Sequence, residues 1–275
     1  MKIDLSNIAV FQELLVRERD LMKQPDYIRK FHFSTRDSFH NSTWRKLVVN
    51  WCYAVVDRIG MDREVVYVAL DIFDRFLAVK RPQKRATDKK TYEAAIMSSL
   101  LLATRLQLLS SSSGESTYLR PNDLADMTAT SISPHDLCKT CQEIDRVVRW
   151  EKKNHQENPT AAHFARALVH LLPKSIKESS KTNLLVYAIR QIELSVQDER
   201  CMRVSASLLA WMAVENALQQ QSEQFSKDDR TEFRELVVEI SGHYHSISLR
   251  KRLRSLHQDS YPNAYNNNNN ELIRR

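Results

Sequence analysis

The sequence holds little glycine: only Gly60, Gly114 and Gly242 occur among 275 residues, beside seven prolines. Average usage is about 7 % glycine, and strand-rich or phosphate-cradling folds need it at their turns. Neither GxGxxG nor GxxxxGK[ST] is present, which excludes the nucleotide-binding loops whose backbone must approach a phosphate closely. No apolar run is long enough to span a bilayer, so no membrane segment is expected. The sequence shows no secretory hydrophobic leader, and its four cysteines are then expected to be reduced thiols in the nucleus or cytoplasm. GxSxG is missing too, and no carboxylate pair stands out from ordinary charged helix faces, leaving hydrolase chemistry without an anchor.

What the sequence does contain is helical periodicity. Ile8, Phe11, Leu14, Leu15 and Met22 form one stripe of a leading helix over residues 5 to 23. Leu47, Val48, Trp51, Val55 and Ile59 continue the period to Gly60, placed as a helix C-cap. Asp62 is a good N-cap for a run with a wide apolar face, Val65 to Leu77, before Pro82. Tyr92 to Leu109 reads as the central helix of a bundle. Pro121 opens a short helix, and Ser133 caps another that carries Leu137, Cys141, Ile144, Val147 and Trp150. Five helices thus lie between Ser42 and Trp150. Past the polar run KKNHQEN, Pro159 begins five more, at 160 to 172, 181 to 196, 199 to 219, 227 to 242 and 247 to 257. The expected class is all-α: an N-terminal helix and linker over 1–40, helical domains over 41–152 and 153–258, and a disordered tail over 259–275 containing five consecutive asparagines.

Few residues invite chemistry. Cys138 and Cys141 make a lone CxxC with no second pair to complete a zinc site, and both fit the apolar face of a helix, so core packing is the expectation and no metal is assigned. His243 and His245 lack a placed partner and read as a solvated helix end. The formal charge of +7 is compatible with nucleic acid, an anionic surface or an acidic partner. Lys80, Arg81, Lys84, Arg85, Lys89 and Lys90, and Arg250, Lys251, Arg252 and Arg254, could bind phosphate or direct nuclear import; the plainer reading is a solvated loop and a basic final helix. No cofactor is expected.

The stretch from Trp44 to Leu77, WRKLVVNWCYAVVDRIGMDREVVYVALDIFDRFL, closely resembles the opening of the cyclin box, MRAILVDWL followed by DRFL. YEAAIMSSLLLATRL resembles its central helix, and Ser133 to Lys152 its fifth. From Pro159 to about His257 the likeness is one of helix number, length and the opening Pro-Thr before Phe164.

The resemblance implies tandem five-helix cyclin folds and a non-catalytic partner of a cyclin-dependent protein kinase. It pairs Arg45 with Asp74 and places the kinase grip on Arg105 and Glu143, with Leu102, Leu106, Ile144 and Val147 as apolar contacts. Arg105 stands where cyclins generally carry lysine, and Gln142 replaces the methionine before Glu143; an arginine keeps the charge but not a lysine's point geometry. The surface that cyclins use for substrates or inhibitors with short basic-hydrophobic motifs corresponds to Trp44, Leu47, Val48, Trp51, Tyr92 and Glu93, with Trp44 filling part of that groove. Two alternatives stay open: a cyclin-fold nucleic-acid-binding or transcription-type factor, and a scaffold that binds without activating.

Overall fold

The computed structural model describes residues 4–23, 42–80, 89–110, 119–128, 131–148, 158–198, 200–243 and 246–260. The basic loop 81–88, the serine-rich linker 111–118, Trp150, Lys152, His245 and the asparagine run lie outside them. Among the described residues are eleven α-helices and no strand: α1 (Leu5–Met22), α2 (Ser42–Arg58), α3 (Glu64–Lys80), α4 (Lys89–Ser110), α5 (Pro121–Asp126), α6 (Pro134–Val148), α7 (Ala161–His170), α8 (Glu178–Ser195), α9 (Ala206–Gln220), α10 (Lys227–Ser241) and α11 (Ile247–Ser260). None of these helices is long and apolar enough to cross a membrane.

Contacts divide the chain into two compact units, one of Arg19–Thr160 with Gln197–Glu199, the other of Met1–Glu18, Ala161–Val196 and Arg200–Arg275. In the first unit α4 is the axis, packing on α3 and α6. From Ala94 to Thr104 every residue is buried, as a helix surrounded by others requires. Its small polar residues are satisfied within the bundle: Ser99 and Thr104 donate to the Ala95 and Leu101 carbonyls, and Ser98 to that of Leu137 on α6. The wide apolar face of α3 is buried throughout, with Val66, Ala69, Ile72 and Phe73 at 1 % exposure or less.

Helix α2 ends in a Schellman motif. Gly60 has φ of +69°, its N–H reaches the Asp57 carbonyl, and the Met61 N–H reaches that of Val56, at 3.2 and 3.1 Å. The α2 core face differs from the expected one: Val49, Cys52 and Val56 are fully buried, whereas Leu47 is 65 % exposed. The segment is apolar on nearly every side, so periodicity alone fixes its length better than its rotation.

In the second unit the Leu5–Glu18 portion of α1 packs with α7 and α9. Phe11 stands edge-on to Phe164 at 5.9 Å, and the Asn7 side chain donates to the His170 carbonyl. Glu18, on the apolar stripe of α1, is 5 % exposed; it accepts from the Ser207 N–H at 3.0 Å and from the Ser207 hydroxyl, capping the start of α9. Burial raises its carboxyl above the ordinary range. Helix α9 begins at Ala206 rather than near 199, because Ser205 supplies an N-cap to Leu208 and Cys201–Arg203 form a separate 3-10 turn.

Candidate partner-binding surface

Arg45, in the first turn of α2, meets Asp74 of α3 end-on: its two terminal nitrogens, Nη1 and Nη2, lie 2.9 and 3.0 Å from the two carboxylate oxygens. The side chains are 12 % and 5 % exposed. A planar fork on a planar carboxylate fixes orientation as well as distance, so the pair sets the rotation of α2 on α3. That rotation places Trp44 against two buried rings, with centroids 6.1 Å from Phe73 and 5.6 Å from Tyr92. Phe73 and Tyr92 are themselves 6.4 Å apart, so the three rings form a closed triangle.

Of the docking-groove residues drawn from the sequence, Leu47 is exposed, Trp44, Val48, Trp51 and Glu93 are half-buried, and Tyr92 is buried. Glu93 is 3.6 Å from Lys89 one turn earlier on α4.

The residues proposed to grip a kinase sit toward the C-terminal parts of α4 and α6, which pack on each other. Arg105, Leu106, Glu143 and Val147 are all half-buried. Arg105 lies near the Cys141 thiol of α6, at the level where the two helices pack. Leu102, at 6 % exposure, and Ile144, fully buried, belong to the core. Ile144 has no accessible surface to offer a partner and Leu102 has little, so both lie beneath the candidate surface rather than on it as contact residues.

The other sequence candidates resolve into structural roles. Cys141 is buried, as core packing requires, and donates to the Ser98 carbonyl at 3.6 Å, whereas Cys138 is exposed and does not share the core packing expected of both; burial raises the Cys141 thiol and pushes Cys52 up to about 12. His243 is half-buried with Nε2 2.7 Å from the Ser207 hydroxyl, not at a solvated helix end. Since that hydroxyl donates to Glu18, the ring supplies its own N–H to Ser207.

The basic cluster of α11 is partly consumed inside its unit. Glu215 of α9 is fully buried, accepts from Arg234 at 2.8 Å and lies 3.7 Å from Arg250. Arg254 donates to Gln219 and Asn216. Arg250 and Arg254, both proposed for phosphate, thus have internal partners. Sequence reading missed Glu215 and Glu18, although both fall on otherwise apolar helix faces, the one local sign that a carboxylate is buried.

A family model described as "Cyclin, N-terminal domain" matches residues 9–153. This chain belongs to the cyclin family. G1/S-specific cyclin-D1 of Danio rerio is 23 % identical over 216 residues, 78 % of this cyclin and 66 % of that relative's length. Among solved structures, a viral cyclin from herpesvirus saimiri has a TM-score of 0.63 at 15 % identity, covering 93 % of this cyclin and 97 % of that chain. A chain of the CAK complex from Chaetomium thermophilum bound to ATP-γ-S has a TM-score of 0.54 at 10 % identity, covering 95 % and 78 %. Identities this low establish the fold alone, and the likeness extends well past residue 153, where the family model stops.

Proposed function

We propose that this cyclin is a non-catalytic regulatory subunit that binds and activates a cyclin-dependent serine/threonine protein kinase and thereby controls cell-cycle progression, acting in the nucleus, the cytoplasm or both. The observation that carries the reading is the half-exposed set Arg105, Leu106, Glu143 and Val147 on the adjoining helices α4 and α6. It combines opposite charges and apolar area on a rigid base formed by Leu102 and Ile144. The cyclin-D1 relative and the CAK-complex chain accord with it.

A surface of this kind acts by packing on a mobile kinase helix and stabilising the arrangement in which the kinase's own lysine-glutamate pair and activation loop are in place. Moving such an equilibrium from 1:99 to 99:1 needs about 5.5 kcal/mol of differential affinity, within reach of an apolar patch flanked by charge contacts. The α2 face, with Leu47 and Trp51, is the corresponding candidate for docking substrates or inhibitors.

Affinity capture from cells of the source organism, repeated with an Arg105→Ala, Glu143→Ala double variant, tests the reading. A cyclin-dependent kinase recovered by the wild type and lost by about tenfold or more with the variant is expected. A kinase captured equally by both would contradict the assigned surface. One observation favours the scaffold as second reading: Arg105 replaces the usual lysine, and binding without activation would be its signature.

A further inference from the structure

We infer that Cys138 and Cys141 are a reversible oxidation site, closing to a disulfide under hydrogen peroxide and thereby loosening α6 from α4. The two stand one turn apart on α6 and face opposite environments. Cys138 is exposed, whereas Cys141 is buried and gives its S–H to the Ser98 carbonyl of α4 at 3.6 Å. Cys52 and Cys201 are buried as well, so an oxidant in solution meets Cys138 first. Cys138 lies near the Cys141 sulfur, and so does Arg105, whose charge favours the Cys141 thiolate although burial outweighs it. One thiol is reachable and a second stands beside it, the arrangement that resolves a sulfenic acid before further oxidation.

The Cys138 sulfur attacks the peroxide: an S–O bond forms, the O–O bond breaks, and the thiol proton goes to the departing oxygen, which leaves as water. The Cys141 sulfur then attacks that of Cys138, forming S–S and expelling the hydroxyl, which takes the Cys141 proton and leaves as a second water. Both sulfurs are oxidised and one peroxide is reduced. Side chains three apart on a helix have Cβ atoms about 5–6 Å apart, and a disulfide needs about 3.5–4.5 Å. The turn must therefore tighten toward 3-10 geometry, in which positions i and i+3 eclipse, and Cys141 must leave the Ser98 carbonyl. That strain keeps the bond readily reducible. It falls between Leu137 and Ile144, two of the buried residues that seat α6. Glu143 and Val147 lie on the same helix, so oxidation also weakens the partner-binding surface, a consequence that rests on the function proposed above.

The full chain is treated with hydrogen peroxide, freed of it, blocked with iodoacetamide and digested with trypsin without reductant. Lys139 lies between the two cysteines, so cleavage there separates them unless a disulfide joins the fragments. Linked fragments are expected from the wild type, none after a reductant and none from Cys138→Ser. Amide hydrogen exchange across α6 should be about tenfold or more faster in the oxidised wild type. Cys138→Ser, altered only at an exposed position, is the folded control and should exchange alike before and after peroxide. Separate fragments, whether Cys138 is unchanged or a sulfinic acid, overturn the inference, as do linked fragments with unchanged exchange. Oxidised wild type should also capture about tenfold less kinase than reduced, and equal capture by both would overturn the link to the partner surface. Capture by neither form counts against the proposed function alone, because the fragments and the exchange decide the dithiol independently.

Discussion

Removing Asp74 should cost this cyclin far more than the loss of one surface ion pair. Asp74→Ala strands the Arg45 guanidinium at 12 % exposure without its carboxylate. Breaking a buried pair by deleting one partner costs about 3–5 kcal/mol, whereas replacing both partners by apolar groups of similar size is close to neutral. An exposed pair would cost about 0–1 kcal/mol. Taking about 2–4 °C per kcal/mol for a domain of this size, Asp74→Ala should lower Tm by about 6–20 °C. The doubly apolar Arg45→Met, Asp74→Leu chain should recover most of the loss. Thermal unfolding followed by far-UV circular dichroism, run as a double-mutant cycle, measures both. Tryptophan fluorescence should shift with it, because Trp44 is positioned by the same turn. A cost for Asp74→Ala below about 1 kcal/mol would refute the idea that the pair is buried and fixes α2 on α3.

Burial holds His257 down to about 4, with Arg190 contributing, and its ring lies on Tyr187 at 4.7 Å. The unfolded side chain titrates near 6.5, so it takes up a proton that the folded one refuses, and stability falls as pH drops from 7 to 5, by about 2 kcal/mol from this group; urea midpoints at the two pH values should show a smaller drop in His257→Phe. Cys138 is exposed whereas Cys52, Cys141 and Cys201 are buried, so a thiol reagent should label one equivalent rapidly in the native protein and none in Cys138→Ser. Gly60→Ala should cost about 1–2 kcal/mol of unfolding free energy, entirely from its φ of +69°, since an added Cβ meets nothing within 4 Å.

Legibility in the sequence varied with how local the determining physics was. Helix α1, the Gly60 stop and the Asp62 start depend on neighbouring residues and could be read directly; the Asp62 carboxylate accepts from the Glu64 N–H at 2.8 Å. The Arg45–Asp74 pair spans 29 residues and was available only through the family resemblance. The rotation of α2 was not legible, because WRKLVVNWCYAVV offers apolar residues to every side and α3 and α4 choose among them. The same limit applies to Leu102 and Ile144, whose helices are apolar enough to make core and contact residues look alike. His243 and the α11 arginines were misjudged for another reason: their partners, Ser207, Glu215 and Asn216, all belong to α9, 35 to 38 residues away in sequence.

The central claim, activation of a kinase through the α4–α6 surface, is tested most directly by reconstitution. A purified cyclin-dependent kinase from the source organism is assayed for phosphoryl transfer to a peptide, alone, with the wild-type cyclin, and with the Arg105→Ala, Glu143→Ala variant. The account predicts a gain approaching about 10²-fold with the wild type, the ceiling for a kinase that is active about 1 % of the time alone, and loss of most of that gain with the variant. A kinase that binds the cyclin yet stays at its basal rate, or is activated equally by both proteins, would contradict it.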